Sequence, residues 1–325
     1  MSSQMKAAVI RRYGPPHVVK IEQIPRPIPG PNDVLIRVRA STVSSADWRL
    51  RSLSMPYGFG LAGRLALGLT APRRKILGSE LSGDVVAIGA AVRNFSFGDA
   101  VVAYPGLKLG AHAEYVRMSA NGAIVRKPDA LSYTSAAALA FGGSTALDFF
   151  RRGALQTGES VLINGASGTV GSAMVQLAVA AGAHVTAVCS GANVELMKQI
   201  GAARTIDYTQ VDFVSECIRY DVIADTVGNA PYARVRHALA PRGRLLMVLA
   251  TLPEMLRAPW VNSTSQHRIV SGPAAERLDD LRALVAMAAD GRFTPLIDSC
   301  YSLDEIAIAH ARVETKKKRG SVVIR

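Results

Sequence analysis

The sequence predicts an α/β chain built from a β-rich part and a doubly wound parallel sheet. Three patterns carry this expectation. Between residues 161 and 249, strand-like and helix-like runs alternate, the mark of a parallel sheet with helices on both faces. Residues 161–179, VLINGASGTVGSAMVQLAV, condense one such unit into a short apolar strand, a glycine-rich turn and an apolar helix. The first third instead shows short runs of alternating apolar and polar residues broken by glycine and proline.

Taken in order, residues 5–10 and 34–40 alternate as strands do, and Pro25, Pro27, Pro29 and Pro31 forbid helix between them. Asp84–Ile88, Ala100–Ala103 and Ala113–Val116 continue the strand pattern, with Gly78, Gly83, Gly89, Gly98, Gly106 and Gly110 as breaks. The pattern changes near residue 130, where Ser135–Ala140 and Ser144–Phe150 read as helices. Strands then follow at Val161–Asn164, His184–Cys189, Ala203–Ile206, Asp221–Asp225 and Arg244–Leu249, separated by helices at Val170–Ala181, Val194–Ile200 and Tyr232–Leu239. In the tail, Ala275–Ala289 is an amphipathic helix and Thr294–Tyr301 is extended. Leu303–Val313 is helical and Gly320–Arg325 is a last strand. The simplest organisation is a β-rich domain over 1–126, a parallel-sheet domain over 127–267, and a segment 268–325 that returns to the first domain.

Bulk composition narrows the function classes. With 49% hydrophobic residues in 325, a sizeable core is expected and global disorder is not. No apolar run has the length of about 20 residues that a membrane-spanning helix needs, and the N-terminal MSSQMKAAVIRRYG lacks the apolar core of a secretory leader. Cys189, Cys217 and Cys300 are far apart and form no CxxC, so a reduced, cytoplasmic setting fits. The net charge is +13, but basic residues are dispersed apart from Arg73–Lys75 and Lys316–Arg319. Either run serves as an ordinary solvated loop or as a contact for an anion.

The turn Gly165-Ala166-Ser167-Gly168-Thr169-Val170-Gly171 is the chemically informative stretch. A strand that ends in such a turn and feeds a helix aims backbone N–H groups and the helix N-terminus at a pyrophosphate, which implies a dinucleotide. An NAD site places Asp or Glu at the end of the second strand, on the ribose 2′-hydroxyl. Here that strand, HVTAVC, runs into Ser190-Gly191 with no acid, so a 2′-phosphate is admitted and NADP is expected. Ser190 and Asn193 are the candidate donors to that phosphate. The same residue types also cap helices, and one begins near Val194.

At the level of whole motifs the chain resembles the medium-chain dehydrogenase/reductase superfamily, in its zinc-independent, quinone oxidoreductase-like branch. The resemblance rests on VLINGASGTVG, AVCSGANVELMKQIGAARTIDY and AHARVETKKKRGSVVI, with ILGSELSGDVVAIG and FSFGDAVVAY near the start. It implies a GroES-like catalytic domain beside a Rossmann domain, with a homodimer formed through the outer edge of the Rossmann sheet near His267–Ser271. Zinc-dependent relatives draw metal ligands from three motifs, whose ligand positions here are Ser44, Ser79 and Phe141. None offers imidazole or thiolate, so no metal is expected. The resemblance also implies cofactor contacts from Thr145, Ser167, Gly168, Thr169 and Val170, a 2′-phosphate environment of Ser190, Asn193 and Tyr208, and a nicotinamide pocket lined by Leu249 and Thr251. Lysine is common in relatives at the Asn193 position, and Lys316 matches a basic residue that would restore the charge.

Without a Lewis acid, hydride transfer favours an acceptor that is already activated, such as a quinone or an α,β-unsaturated carbonyl. The expected activity is therefore an NADPH-dependent reduction of a small lipophilic electrophile. Ser44 is a candidate catalytic donor. Tyr57 is another, or else a loop tyrosine packing on Pro56. Asp47 and Arg51 match a family pattern and are expected to fix the loop, as an ion pair. Met55–Pro72, apolar and glycine-rich, reads as a flexible wall for the acceptor, a membrane-touching loop, or a loop folded over the barrel. The alternative to an enzyme is an NADPH-binding adaptor of the same fold that contacts membrane or RNA. No basic stripe interleaved with aromatics supports RNA recognition.

Overall fold

The computed structural model of the chain describes residues 3–325. It divides into two compact units: Met1–Met55, Gly60–Phe141 and Glu276–Arg325 form the first, and Pro56–Phe59 with Gly142–Ala275 form the second. Residues 127–141 therefore belong with the β-rich unit and 268–275 with the parallel-sheet unit, unlike the expected boundaries at 126 and 267.

The first stretch contains strands β1 (Gln4–Ile10), β2 (Val19–Pro25) and β3 (Asp33–Val43), then helices α1 (Ser45–Ser52) and α2 (Gly60–Leu67). Strands β4 (Leu81–Ile88), β5 (Ala100–Ala103), β6 (Tyr115–Ser119) and β7 (Ile124–Arg126) follow, then helix α3 (Tyr133–Ala137). The long strand β3 organises the unit, pairing antiparallel with β4 and β6. Its inward residues Val34 and Ile36 pack with Leu81, Val85 and Val101. Helix α3 is held on this sheet because Ser82 Oγ donates to Tyr133 O at 2.6 Å and the Tyr133 hydroxyl donates to Asp84. That attachment keeps residues 127–141 with the β-rich unit.

The middle stretch opens with α4 (Ala140–Gly153) and continues as β8 (Ser160–Asn164), α5 (Thr169–Ala180), β9 (His184–Cys189), α6 (Val194–Gln199) and β10 (Arg204–Asp207). It ends with β11 (Tyr220–Asp225), α7 (Tyr232–Val235), β12 (Leu239–Met247), α8 (Leu252–Thr264) and β13 (Arg268–Ser271). Its sheet runs in the order β10-β9-β8-β11-β12-β13, all parallel, as the alternation of patterns predicts. Strand β13 extends this sheet beside β12, which explains why residues after 267 stay with the second unit.

The last stretch, α9 (Leu278–Ala289), β14 (Ile297–Tyr301), α10 (Ile306–Glu314) and β15 (Ser321–Ile324), returns to the first unit. Strand β15 pairs antiparallel with β3, aligning Val322 with Val43. The expected return of the C-terminal segment is thus found in sheet register.

Several elements depart from the sequence pattern. The helix expected over Tyr232–Leu239 is α-helical to Val235 and tightens to a 3-10 turn over Arg236–Ala238, and Leu239 opens β12 instead. Helix α8 went unread because Pro253 and Pro259 lie inside it. The first proline sits at an early helical position where no N–H is needed, and a Thr251–Glu254 capping box starts the helix. The stretch Met55–Pro72 is not a plain loop, since it contains α2. Buried Gly63 lets that helix approach Met55, whose Cγ would lie 2.8 Å from an added Cβ.

Candidate functional site

The dinucleotide turn lies wholly in the second unit and is shaped by its backbone. Gly165 takes φ 81°, a left-handed conformation that glycine adopts without penalty. The N–H groups of Gly165 and Ala166 both donate to Val188 O, at 3.2 and 3.0 Å, which ties the turn to β9. Gly171 allows α5 to press on the turn, because a Cβ there would lie 2.1 Å from Gly165 O. Gly168 is the N-cap and supplies no side-chain cap of its own. A cradle that a Cβ would fill, with a helix N-terminus whose N-cap residue has no side chain, fits a pyrophosphate group. Behind the turn, buried Asn164 donates to Asp225 Oδ1 at 2.9 Å and to Asn229 Oδ1 at 2.6 Å, which fixes the ends of β8 and β11.

Three of the residues assigned to the cofactor form one linked group. Asn193 Nδ2 donates to Ser190 Oγ at 3.0 Å and to Ser167 Oγ at 3.3 Å, so the segment after β9 is bound to the glycine turn. Neither Ser190 nor Asn193 caps a helix with its side chain, which removes the alternative reading of these two. Asn193 is buried, and its Oδ1 has no partner among the described residues. Tyr208 is largely exposed, and its N–H donates to Cys189 O at 3.0 Å.

The sequence reading missed Asp207. It ends β10 in register with Cys189 and lies against Gly191, where an added Cβ would be 2.6 Å from Asp207 Oδ2. Its carboxylate is held below the usual range by hydrogen bonds from Thr209 N and Oγ1, and the Gly191 N–H acts in the same direction. The signal was the acid just before Tyr208, a residue already singled out.

Further along this unit, Thr145 is buried in α4 and Leu249 is half-buried after β12. Thr251 is the N-cap of α8, its hydroxyl donating to Glu254 Oε2 at 2.7 Å. Tyr57 is 78% exposed, and its carbonyl accepts from Leu252 N–H at 3.0 Å.

The second group of candidates lies in the first unit. Ser44 is the N-cap of α1: its hydroxyl donates to Asp47 Oδ2 at 2.6 Å and accepts from Asp47 N–H at 3.2 Å. Its only proton is therefore committed inside the fold, which leaves none to donate as the sequence reading had it. Asp47 Oδ1 also accepts from Gly78 N–H at 2.8 Å, joining α1 to the start of the Gly78–Glu80 segment. The expected Asp47–Arg51 ion pair is not formed. Arg51, fully buried, donates instead to Gly14 O at 2.6 Å and to Glu314 Oε2 at 2.8 Å.

Glu80 is buried and accepts from the Thr42 hydroxyl and from Phe141 N–H, the latter at 2.7 Å. Burial pushes its carboxyl up to about 7. The hydrogen bonds oppose that rise and the charge of Asp47 adds to it. Tyr104, buried beside it, has its phenol pushed up by burial and by Glu80, Glu276 and Asp47, so it stays protonated. Ser79 is buried, and its Oγ has no partner among the described residues. Lys316, in the same unit, takes φ 58° and sets its Nζ 5.1 Å from the centroid of the Trp48 ring.

The three positions that resemblance aligns with zinc ligands do not fit the metal. Ser44 is engaged with Asp47, Ser79 offers a neutral hydroxyl, and the Phe141 side chain has no donor atom. No group of three or more His, Cys, Asp or Glu suited to a metal occurs among the described residues.

Comparison with known proteins gives a consistent picture. The family profile described as alcohol dehydrogenase GroES-like domain matches residues 30–129, and the one described as zinc-binding dehydrogenase matches 200–324. The chain is 32% identical to the mitochondrial NAD(P)H oxidoreductase RTN4IP1 of Homo sapiens over 368 residues, covering 99% of this chain and 89% of that protein. It is 29% identical to 2-methylene-furan-3-one reductase of Solanum lycopersicum, covering 99% and 79%. Among solved structures it matches the quinone oxidoreductase from Coxiella burnetii with a TM-score of 0.86 at 29% identity, covering 99% of both chains.

Proposed function

Because the chain belongs to the medium-chain dehydrogenase/reductase family, we propose that it is an NADPH-dependent reductase of quinones or α,β-unsaturated carbonyls that works without a metal. The coarser statement, an oxidoreductase using a nicotinamide cofactor, follows from its relatives and from the turn at Gly165–Gly171. The finer reading is carried by one observation: the Ser44, Ser79 and Phe141 positions hold no zinc-binding donor set. An alcohol substrate would call for a strong Lewis acid at that point, whereas a conjugated acceptor spreads the arriving charge itself.

The bound nicotinamide supplies a hydride. The chain's own residues do the rest of the work. Gly165, Gly168 and Gly171 let the main chain of the turn approach the pyrophosphate, and Ser167, Thr169 and Val170 line it. The Ser167–Asn193–Ser190 link keeps the adenosine side in place. The absence of an acid at the end of β9 supports a 2′-phosphate. Asp207 does not overturn that reading, because its oxygens are engaged by Thr209 and Gly191 rather than left for a ribose hydroxyl. Lys316 remains the proposed compensating cation, with Tyr208, Thr145, Leu249 and Thr251 as proposed lining residues.

The acceptor is proposed to be small and lipophilic. A homodimer through β13, the end strand of its sheet, belongs to the same proposal. A reducing compartment such as the cytoplasm suits the three free cysteines. No helix among the described residues is long and apolar enough to cross a membrane.

An acceptor screen followed by NADPH absorbance tests this reading, with NADH alongside and with or without a strong chelator. Turnover of 1,4-benzoquinone or an enone, unaffected by the chelator and faster with NADPH, is the expected result. Tight NADPH binding with no turnover on a broad panel of such acceptors overturns the enzymatic reading, and equal rates with NADH overturn the cofactor assignment.

A further inference from the structure

Helix α2, within the β-rich unit, turns an apolar face to solvent. Leu61 is 72% exposed, Leu65 55%, and Leu69, just past the helix end, 59%. Single exposed leucines are ordinary. Here Leu61 and Leu65 lie four residues apart on one helix and share a face, with exposed Ala62 and Ala66 beside them. A contiguous apolar surface of this kind marks a place that meets another body.

The local structure holds that face outward. On the opposite side, buried Gly63 approaches Met55. The Tyr13 hydroxyl donates to Gly68 O at 2.9 Å, Gly68 N–H donates to Arg64 O at 2.9 Å, and Arg73 N–H donates to Leu67 O at 2.8 Å. Arg64 Nη1 donates to Leu69 O at 3.2 Å. These bonds fix the helix and its exit on the β-rich unit.

Charge narrows what the face meets. From residue 48 to residue 79 the sequence has no Asp or Glu. Arg64, Arg73, Arg74 and Lys75 are all exposed, and none forms an ion pair among the described residues. The charges of Arg64 and Arg73 both act on Tyr13, the residue that holds the helix exit. Lys75 acts on Glu22, but that carboxylate is already paired with Arg11 at 2.6 Å. A second copy of this chain would bring the same cations together across the contact. A nucleic acid offers phosphates but no apolar layer for the leucines. An anionic bilayer offers both, acyl chains for leucines and headgroup phosphates for the cations beside them.

We propose that α2 docks the β-rich unit on an anionic lipid surface. Leu61, Leu65 and Leu69 enter the boundary between headgroups and acyl chains, and Arg64, Arg73, Arg74 and Lys75 bind headgroup phosphates. At eight residues α2 is far too short to span a bilayer. It lies in the plane of the surface, and the attachment is reversible and weakened by salt. This docking stands whether or not the chain reduces an acceptor.

The test mixes the full chain with vesicles of phosphatidylcholine holding about 30% phosphatidylserine in about 0.05 M NaCl, and reads bound protein by sedimentation. The parent is expected to sediment with them, and to bind roughly tenfold or more weakly to phosphatidylcholine alone or in about 0.5 M NaCl. Leu61→Gln combined with Leu65→Gln is expected to weaken binding about 100-fold, and Arg73→Gln combined with Arg74→Gln about 20-fold at low salt. These side chains are exposed, so melting temperatures should stay unchanged. Leu65→Trp gives a readout that does not depend on a loss: its added fluorescence should shift to the blue on binding and be quenched by brominated acyl chains. No sedimentation of the parent with the anionic vesicles overturns the inference. Binding that survives the double leucine change overturns it too, as does a Leu65→Trp signal that brominated lipid leaves untouched. Leucine-dependent self-association, or capture of a single-stranded RNA probe, in a protein that ignores the vesicles would give the face to a second copy or to nucleic acid instead.

Discussion

The glycine turn of the second unit and the Ser44–Ser79–Phe141 positions of the first are built on opposite principles. The turn is one continuous stretch whose action resides in the main chain. Gly165 bends it, Gly168 starts α5 with no side-chain cap of its own, and Gly171 lets that helix press against Gly165 O. The second group is drawn from three distant stretches of sequence, and what each side chain can offer is decided by its neighbours. Two serines of identical chemistry end in different states, Ser44 engaged with Asp47 and Ser79 with no side-chain partner among the described residues. A site made of backbone can be read from residue order, whereas a site made of side chains is known only when their partners are known.

The comparison breaks most readily at Gly171. Gly171→Ala places a Cβ 2.1 Å from a backbone oxygen that has little freedom to move. The expected outcome is a loss of about 3 kcal/mol of stability, read by chemical unfolding, together with NADPH affinity weakened on the order of 100-fold by fluorescence titration. A variant that unfolds and binds like the parent would show that the turn does not depend on that close approach.

Glu80 sharpens the other side of the comparison. Its carboxyl rises from 4.5 to about 7 on folding, so the folded chain holds the proton more tightly than the unfolded one. The stability linked to it is complete below about 4.5 and is lost as pH rises through about 7, in all about 3 kcal/mol. His310 works in the opposite sense. Burial, with His112 and Arg51 nearby, holds its imidazole well below 6.5, so its contribution is present above that value and is lost on acidification. The quantity to measure is therefore the difference in unfolding free energy between the parent and Glu80→Gln from pH 5 to 8.5. Glu80→Gln is expected to gain on the parent across that range, and a flat difference would remove Glu80 from the pH response.

Smaller effects are expected around the cofactor. Asp207→Asn removes a negative charge beside Gly191 while keeping an acceptor for Thr209, so the ratio of kcat/KM for NADPH over NADH should rise roughly threefold. An unchanged ratio would mean that this carboxylate is silent toward the adenosine end. Lys316→Ala is the mildest change. Its expected effect is about a twofold loss of NADPH affinity at low salt, shrinking at high salt as screening takes over. A salt-independent loss would point instead to the packing of its side chain on Trp48.

Legibility followed the same division. Strands β8 to β11 and helix α5 were readable because apolar runs, glycine punctuation and helical spacing agreed locally. Helix α8 was not, because Pro259 within it speaks against helix and only packing of Ala258 and Val261 on the sheet core overrides that preference. The expected ion pair of Asp47 with Arg51 failed for a related reason. Four residues apart on one helix is a favourable spacing for a salt bridge, yet Gly78 N–H and Ser44 take the carboxylate while Gly14 O and Glu314 take the guanidinium. Asp207 escaped notice because parallel pairing of β10 with β9, not proximity in sequence, sets it against Gly191.

By itself the sequence determined the class of the fold, the family and the dinucleotide turn, because each is written in backbone preferences and apolar periods that act over a few residues. The tertiary structure decided which polar side chains are engaged and which remain available. It turned Ser44 into a helix cap, set Asp207 against Gly191, raised the Glu80 carboxyl by burial, and left the Ser79 hydroxyl with no partner among the described residues. These outcomes depend on desolvation and on hydrogen-bond partners contributed by distant segments, and neither exists until the chain has folded.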